Sequence, residues 1–578
     1  MGLYTEIPKE TQEVDIIVAG GGTAGCIVAA RLAEVDPNLS ILVIEGGQNN
    51  HNVPQVVYPA LYLSHLKPTS KATLFYKSKK ADQLAGREVV VASGGTLGGG
   101  SSINFLMYTR AQRSDFDSWG AKGWSADELR PYLNKFETYH GSGESRHHGH
   151  DGPIHVSDGP FPAPKSAEDF IGAATKLGWP KVNDLQTLDA NNGIGPWLRY
   201  MSPDGKRQDT AHRYIHPKLE DGKHPNLHVL VESKVVRVLI DDQKRAVGVE
   251  YISTQTPNAK LTVKARRLVV VSCGALGTPL VLERSGLGDP EVLNRAGVPL
   301  VMDLPGVGRE YQDHNATIHP YRTNLEPHET LDGILSGRAD VPNLIAKKDK
   351  ILGWNGIDVA SKLRPSEADV DALSPEFRAT WDRDFKNNLD RPLMITSLMS
   401  YFLGDHSAIP EGQYATVLNI TAYPYSRGHI HITGPSFDDP LDFNVGFFTD
   451  ADDIDLKKQL WAYKKQREIM RRTAMYRGEL AVGHPPSLKG LQRHDKVIED
   501  WLRFKVASPW HSLGTAKMGP RESFGVVNEQ LSVHGIQGLK IADMSVSPKN
   551  MGANTENAAL VIGEKAADII ISELGLKS

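Results

Sequence analysis

The sequence has few cysteines, little net charge and no long apolar run. Two cysteines in 578 residues are too few for a disulfide framework or for a zinc site made of cysteines. The formal charge of −4 and the lack of a basic run argue against a nucleic-acid partner. No apolar run reaches the roughly 18 residues of a membrane span, and the N-terminus lacks an apolar signal region. We therefore expect an intracellular, cytoplasmic protein that does not bind a membrane.

The chain from residue 14 to residue 45 has the strand, helix, strand order of a dinucleotide-binding unit. Between its first strand and its helix, Gly20, Gly22 and Gly25 match the pattern G-x-G-x-x-G, which lets a pyrophosphate lie on the helix N-terminus. Glu45 closes the second strand, 20 residues after Gly25, where a carboxylate can accept hydrogen bonds from an adenosine ribose. This pattern indicates a dinucleotide and is compatible with both NAD and FAD.

A second glycine-rich segment follows at residues 94–104. Before it, Pro54, Pro59 and Pro68 interrupt the alternation of strands and helices that a plain NAD domain would continue. A glycine run lets backbone amides lie against a flat or anionic ligand. The apolar continuation at residues 105–108 argues against a flexible linker at this point.

Together these segments resemble the glucose-methanol-choline (GMC) oxidoreductases, a family of FAD enzymes. Residues 95–119 resemble the family's first signature, residues 274–288 its second, and residues 304–314 a further family segment. The resemblance implies FAD as the cofactor. Ile103 stands where some relatives carry a histidine that bonds covalently to the flavin, so we expect a non-covalent FAD.

The resemblance also implies a fold of the α/β class with two domains. A Rossmann-like FAD-binding domain would consist of residues 1–152, 224–315 and 509–578. A substrate-binding domain, with an antiparallel sheet covered by helices, would consist of residues 153–223 and 316–508. The length of 578 residues agrees with this division, since one hydrophobic core seldom organises so long a chain.

The resemblance assigns FAD-binding residues along the whole chain. They come from the two glycine segments, from a middle strand near Val235 that presents its backbone to the adenine, and from the C-terminal region, where Asp543 approaches the ribityl-phosphate arm. The predicted cofactor-binding residues are Gly20, Gly22, Thr23, Ala24, Gly25, Glu45, Gly95, Leu97, Gly98, Gly100, Ser101, Asn104, Val235, Trp510, Asp543, Met544 and Thr555.

Two residues near the C-terminus match the family's active-site positions. His511 follows an aromatic residue in the position of the base, and Asn554 occupies the second position, usually histidine or asparagine. Neutral His511 would take the hydroxyl proton as hydride leaves carbon for the flavin, because an imidazole with an ordinary pKa near ~6.5 suits that task. Asn554 would hydrogen-bond the developing alkoxide. His314 is interpreted as a structural residue.

A histidine-rich loop suggests metal binding as another function. His147, His148 and His150 lie beside Asp151. Because no strand or helix is predicted to hold them in a fixed geometry, we interpret the loop as solvated and predict no metal site.

Along its whole length, the chain resembles the fungal formate oxidase branch of the family, whose members can carry a modified 8-formyl-FAD. That branch has arginine where this chain has Asn554. An amide cannot supply the charge-assisted pair with a carboxylate that arginine gives. We therefore expect weakened formate activity and a preference for a small primary alcohol or an aldehyde hydrate. Dioxygen is the expected electron acceptor and hydrogen peroxide the expected product.

Three other classes of function are open at this point. A dehydrogenase that passes electrons to a quinone would have the same sequence features, since oxygen reactivity depends on details of the pocket. A hydroxynitrile lyase uses the same architecture with a redox-idle FAD and needs the histidine only for acid–base chemistry. A non-catalytic flavoprotein is the third. The sequence also leaves the oligomeric state open.

Overall fold

Two β-sheets organise the chain, one mainly parallel and one antiparallel. The computed structural model describes residues 2–8, 11–143, 145–162, 165–190, 192–256, 259–485 and 495–576. Within these ranges the larger sheet has eight strands, in the spatial order Leu3–Tyr4, Leu227–Leu230, Ile41–Ile44, Glu13–Ala19, Lys260–Val271, Ala246–Ser253 and Ser233–Ile240, with Leu539–Ile541 also paired to Lys260–Val271.

The strand Glu13–Ala19 lies at the centre of the larger sheet and is parallel to both of its neighbours. Val18 pairs with Val43 on one side and with Val270 on the other. All three side chains are fully buried. Apolar strands buried on both faces are typical of parallel sheets that helices cover on each side.

The first and last long helices pack against each other on this sheet. They span Thr23–Val35 and Glu556–Glu573. At their crossing, a Cβ on Gly563 would lie 3.0 Å from the Cα of Ala24. Small residues thus let the two helix backbones approach closely, which brings the C-terminal region next to the first glycine turn.

Residues 211–215, which the sequence analysis placed in the substrate-binding domain, pack in the core of the larger sheet. Ala211, Tyr214 and Ile215 are buried there. The hydroxyl of Tyr214 donates to Oε1 of Glu564 in the last helix at 2.7 Å. The exact domain boundaries stay a prediction.

The second sheet is antiparallel and helices cover one of its faces. In the described ranges it has four strands, in the order Met394–Met399, Tyr414–Thr421, Asn315–Thr323 and Tyr476–Glu479. The helices Lys165–Lys176, Pro375–Asp384 and Ile454–Arg471 share a hydrophobic core with it. The predicted fold class, a nucleotide-binding α/β part next to a helix-covered antiparallel sheet, is confirmed.

Shorter elements connect the two sheets. The other strands are Thr73–Lys77, Val90–Gly94, Glu137–Tyr139, Ile154–Val156, Gly193–Pro196, Leu287–Gly288, Met302–Asp303, Val359–Lys362, His429–Ile432 and Leu441–Asn444. The other α-helices are Pro54–Val57, Gly100–Ile103, Arg113–Asp117, Ala126–Lys135, His216–Glu220, Gly274–Arg284, Pro290–Arg295, Asp332–Leu335, Val341–Ala346, Glu367–Asp371 and Asp495–Lys505. In the part of the chain that the structure describes, no helix combines the length and apolarity that crossing a membrane requires.

Candidate active site

A cavity of about 1180 Å³ lies where the two sheets meet. Glu45 and the first glycine turn line one end. His511 and Asn554 also line it, together with residues of the antiparallel sheet. Its volume exceeds the roughly 300–1,000 Å³ of an ordinary ligand pocket, which is enough for a dinucleotide and a second, smaller molecule.

The first glycine turn exposes the N-terminus of the helix Thr23–Val35 to the cavity. Gly20 has a φ of +106°, and a Cβ on Gly25 would lie 2.2 Å from the carbonyl oxygen of Gly20, so both positions require glycine. No side chain caps the helix at Gly22. Its first amide groups, with the positive end of the helix dipole, remain available to a pyrophosphate.

Glu45 lies at the end of the second strand with both carboxylate oxygens engaged. Oε2 accepts from the amide of Gly21 at 2.9 Å and Oε1 from that of Gly47 at 2.8 Å. Burial raises the pKa of Glu45 to about 7. Each carboxylate oxygen has a further lone pair, so this geometry is compatible with the predicted contact to a ribose hydroxyl.

The two glycine segments contact each other through Thr23. Its hydroxyl donates to the carbonyl oxygen of Gly98 at 3.4 Å and accepts from the amide of Ser101 at 3.2 Å. The hydroxyl of Ser101 also donates to the Gly98 carbonyl, at 2.6 Å. Gly98 and Ser101 therefore hold the second segment against the first and do not line the cavity.

Asp543 lines the cavity two residues after the end of the strand Leu539–Ile541. Its Oδ2 accepts from the hydroxyl of Thr278 at 2.6 Å and from the amide of Gly274 at 3.0 Å. Its Oδ1 accepts from the amide of Ser545 at 2.8 Å. Burial raises the pKa of this carboxyl. Its approach to the ribityl-phosphate arm stays a prediction.

Most of the predicted site residues line this single cavity. They are Gly20, Gly22, Thr23, Ala24, Glu45, Gly95, Gly100, Asn104, Val235, Trp510, His511, Asp543, Met544, Asn554 and Thr555. Four others lie behind the wall, namely Gly25, Leu97, Gly98 and Ser101. The four pack or hydrogen-bond the glycine turns, so their expected role is to shape the site rather than to contact the cofactor through their side chains.

His511 has two ring partners, which together define its tautomer. Nε2 of His314 lies 2.7 Å from the carbonyl oxygen of Met551, to which it donates. Nδ1 of His314 lies 2.8 Å from Nδ1 of His511. Burial lowers the pKa of His314 to about 4, so its Nδ1 is an unprotonated acceptor. His511 therefore carries its proton on Nδ1, and the lone pair of its Nε2 is unprotonated and can accept a hydrogen bond.

His511 is a neutral imidazole in this environment. Burial, with a smaller effect of His314, holds its pKa well below the ordinary value. Its backbone amide donates to Oδ1 of Asp313 at 3.0 Å, and the hydroxyl of Ser508 donates to Oδ2 of the same carboxylate. Asp313 therefore fixes the turn that carries His511.

Asn554 is oriented by Thr109. The Thr109 hydroxyl accepts from the Asn554 backbone amide at 3.0 Å and donates to its Oδ1 at 2.8 Å. This leaves the side-chain Nδ2 to donate to Nε2 of His511 at 3.1 Å. The structure thus places one acceptor and one donor side by side at the cavity wall, a pair that can bind a hydroxyl group through both its hydrogen and its oxygen.

Aromatic and sulfur-containing side chains surround this pair. Trp510 adopts a φ of +65°, which is rare for a bulky residue, and its ring lies 5.2 Å from that of Phe105. Phe105 and Met107 both line the cavity. These residues limit the space for water next to His511.

Several of these supporting residues were not predicted from the sequence. Thr109 and Asp313 were not proposed as site residues, although Asp313 lies in the family segment at 304–314. His314 is structural in the sense that it does not line the cavity, yet it contacts His511 directly. The available sequence signal was that Thr109 and Asp313 are polar residues within family segments. The residues that they contact could not be predicted without the fold.

The prediction of a solvated histidine-rich loop is wrong for His148, whose side chain is buried. His148 is buried, with Nδ1 2.9 Å from Oε1 of Glu137 and Nε2 2.9 Å from Oδ2 of Asp184. Its ring stacks on Tyr139 at 3.6 Å. The residues that the structure describes contain no group of three or more histidines, cysteines or acids arranged to hold a metal ion.

The fold and the site define a dinucleotide-dependent oxidoreductase with a histidine–asparagine pair. Models of the two GMC oxidoreductase regions match residues 14–316 and residues 424–563. The chain belongs to the GMC oxidoreductase family, as its sequence motifs predicted. The glycine turns, the uncapped helix and the long cavity fit FAD, and the predicted cofactor is confirmed.

Known relatives cover nearly the whole chain. An alcohol oxidase of Candida boidinii is 38% identical to it over 98% of this chain and 96% of its own length. An alcohol oxidase of Pichia angusta is 38% identical over 97% of this chain and 95% of its own. The structure of a formate oxidase variant of Aspergillus oryzae superposes with a TM-score of 0.85 at 24% identity, covering 98% of this chain and 99% of the other.

Proposed function

We propose that this chain is an FAD-dependent oxidase of small primary alcohols. Supporting this proposal are the alcohol oxidases among its relatives and the chemistry of the site. The observation that carries it is the pair formed by Nε2 of His511 and Nδ2 of Asn554, 3.1 Å apart at the cavity wall. A primary alcohol hydroxyl can donate to the first atom and accept from the second.

The two residues divide the reaction between them. The chemistry that FAD would supply, when bound, is acceptance of the hydride from the carbinol carbon. His511 takes the hydroxyl proton on Nε2, which is unprotonated because the ring proton lies on Nδ1 and is bonded to His314. The substrate hydroxyl replaces the Asn554 amide as the donor to Nε2. The Asn554 amide donates to the substrate oxygen as its negative charge develops. The alcohol thereby loses one hydride and one proton and becomes an aldehyde, and dioxygen finally takes up both to give hydrogen peroxide.

The site suits a neutral substrate better than formate. Among the described residues, the partners of the His511 and Asn554 side chains are His314, Thr109 and Met107, and none is cationic. A carboxylate would lose its hydration there without gaining an ion pair. Aldehyde hydrates carry the same hydroxyl group as alcohols and are therefore expected to react as well.

An anaerobic titration distinguishes the classes of function. The oxidase proposal expects small alcohols to bleach the flavin absorbance and expects peroxide when air is readmitted. If alcohols bleach the flavin and the reduced flavin then passes its electrons only to a quinone, the protein is a dehydrogenase. Cyanide release from a cyanohydrin without bleaching would establish a hydroxynitrile lyase, and no reaction at all a non-catalytic flavoprotein.

Replacing Asn554 tests why formate is disfavoured. In an Asn554→Arg variant, the guanidinium can form a charge-assisted pair with formate, so kcat/KM for formate should increase relative to that for ethanol. An Asn554→Gln variant, which adds length without charge, is the matched control. Better formate turnover by the unmodified chain than by Asn554→Arg would refute this explanation.

Several finer points remain part of the proposal. The FAD is held without a covalent bond, with Ile103 in the wall where a covalent link would form, and 8-formyl-FAD is a form to look for by its absorbance spectrum and mass. The proposal includes the predicted cofactor-binding residues as those that hold the FAD. It also includes the predicted boundaries of the two domains. The cytoplasmic location and the lack of a nucleic-acid partner stay predictions.

A further inference from the structure

One wall of the cavity is a strip of apolar residues on the antiparallel sheet. Ala316, Ile318 and Pro320 alternate along one strand, and Leu418 and Ile420 belong to the neighbouring strand. Ala316 is directly opposite Ile420, and Ile318 is opposite Leu418. All five line the cavity. Because alternate residues share a face of a strand, they form one continuous surface, called here the apolar strip.

The inner end of the apolar strip lies close to His511. Ala316 follows two residues after His314, whose ring contacts His511 at 2.8 Å. The backbone of Ala316 also pairs in both directions, at 2.9 Å, with that of Ala507, four residues before His511. Ala316 and Ile420 are buried here, with 4% and 1% of their surfaces exposed.

Beyond Ala316 the apolar strip is partly exposed at Ile318, whereas Pro320 at its outer end is buried. The exposed fraction is 38% for Ile318. Beside Pro320, a Cβ on Gly483 would lie 2.0 Å from the proline Cδ, so the segment that carries Val482 lies against this end. Val482 lines the cavity and is 49% exposed. From Ala316 to Pro320 the strip spans four residue steps, about 14 Å at ~3.4 Å per step.

We propose that the preferred substrate is a primary alcohol with an unbranched apolar tail, whose hydroxyl lies at His511 and whose tail lies along the apolar strip. This rests on the proposed function and goes beyond it by naming the substrate class. A one-carbon or two-carbon alcohol reaches only Ala316 and Ile420. A longer tail also covers Ile318 and Leu418, and each methylene removed from water adds binding energy.

The test is a chain-length series with the FAD-loaded protein. The rate constant of anaerobic flavin bleaching and the affinity for the alcohol are measured with methanol, ethanol, 1-butanol and 1-hexanol. We expect the second-order rate constant to increase about four-fold per added methylene from ethanol to hexanol. A rate constant that is highest for methanol or ethanol would overturn the inference and leave the alcohol oxidase proposal intact. If no alcohol bleaches the flavin, the proposed function itself fails.

A substitution on the apolar strip provides a second test. Ile318→Ser removes apolar surface at a partly exposed position and should lower the ratio of hexanol to ethanol rate constants about four-fold. Val90→Ser is the matched control, because Val90 is 51% exposed on a strand and does not line the cavity. The ratio of hexanol to ethanol rate constants in Val90→Ser should equal that of the unmodified chain. An unchanged ratio in Ile318→Ser would contradict a tail on the strip.

Discussion

Nδ1 of His314 and Nδ1 of His511 lie 2.8 Å apart, with their rings nearly perpendicular at 88°. Since the other nitrogen of His314 donates to a backbone carbonyl, the shared hydrogen must come from His511. His314 therefore acts as a positioning residue, which keeps the proton of His511 away from the nitrogen that faces Asn554.

Removing this contact should slow catalysis more than it harms folding. In His314→Phe, His511 loses the acceptor for Nδ1–H and can adopt the other tautomer, so the rate constant of flavin reduction should fall about 10-fold to 100-fold. His314→Gln can both accept from His511 and donate to the Met551 carbonyl, and should recover part of the rate. The measurement is anaerobic stopped-flow reduction, normalised to bound FAD.

His319 offers a control on the strand Asn315–Thr323, which begins directly after His314. It is also fully buried, but its ring nitrogens contact the Gly483 carbonyl and the Thr317 hydroxyl and not His511. His319→Phe should therefore affect stability without a comparable loss of the reduction rate per bound FAD. Equal losses in the two phenylalanine variants would mean that His314 has only a structural role.

The orientation of Asn554 should depend on one hydroxyl group. Thr109→Val removes the donor to Oδ1 and the acceptor for the backbone amide of Asn554, so the carboxamide can rotate away from His511. We expect kcat/KM to fall about 10-fold, the effect of losing the hydrogen bond from the Asn554 amide to the substrate oxygen. Thr109→Ser retains the hydroxyl and should stay near the original value. Similar activity in Thr109→Val and Thr109→Ser would refute this role.

The pH profile should reflect a base that stays neutral. His511 acts in its deprotonated form and its pKa lies well below 6.5, so the rate of flavin reduction should be constant at neutral pH. It should decrease only when the pH falls well below that value and the imidazole becomes protonated. Measurements use one buffer series at constant ionic strength. A rate that still rises between pH 7 and pH 8 would show that the base has an ordinary or raised pKa.

Alanine substitutions at two glycines of the first turn should affect folding and cofactor binding differently. A Cβ on Gly22 meets no atom closer than Ser272 O at 3.7 Å, whereas one on Gly25 would lie 2.2 Å from Gly20 O. Gly22→Ala should weaken FAD binding, because backbone no longer approaches the pyrophosphate, with little change in apoprotein stability. Gly25→Ala should also lower the free energy of unfolding by about 1–3 kcal/mol. Fluorescence titration with FAD and urea unfolding of the apoproteins measure the two quantities. Equal apoprotein stabilities would contradict this assignment.

Much of the fold could be predicted from local patterns in the sequence. The first glycine turn was predicted at Gly20, Gly22 and Gly25, and the structure has a strand before it and a helix after it. These features depend on neighbouring residues, whose spacing fixes the turn and the helix start. The extent of the two domains was harder to predict, since Tyr214 packs against the last helix from a segment assigned to the other part of the chain.

The supporting residues of the site depend on contacts between distant parts of the chain. Thr109 and Asn554 are 445 residues apart, and His314 and His511 are 197 apart. Single-sequence reasoning identified His511 and Asn554 through a family motif, but no local pattern indicates which side chain orients each of them. The backbone bridges between Gln312 and Leu513 and between Ala316 and Ala507 bring the segments of His314 and His511 together.

By itself, the sequence determined the dinucleotide-binding unit, the family and the histidine and asparagine at its C-terminal end, because short motifs encode these in consecutive residues. Only the tertiary structure decided which nitrogen of His511 is free, how Asn554 is turned and which apolar surface a substrate tail can cover. Hydrogen-bond direction and the shape of a cavity arise from groups that meet after folding, and neither has a signature along the chain.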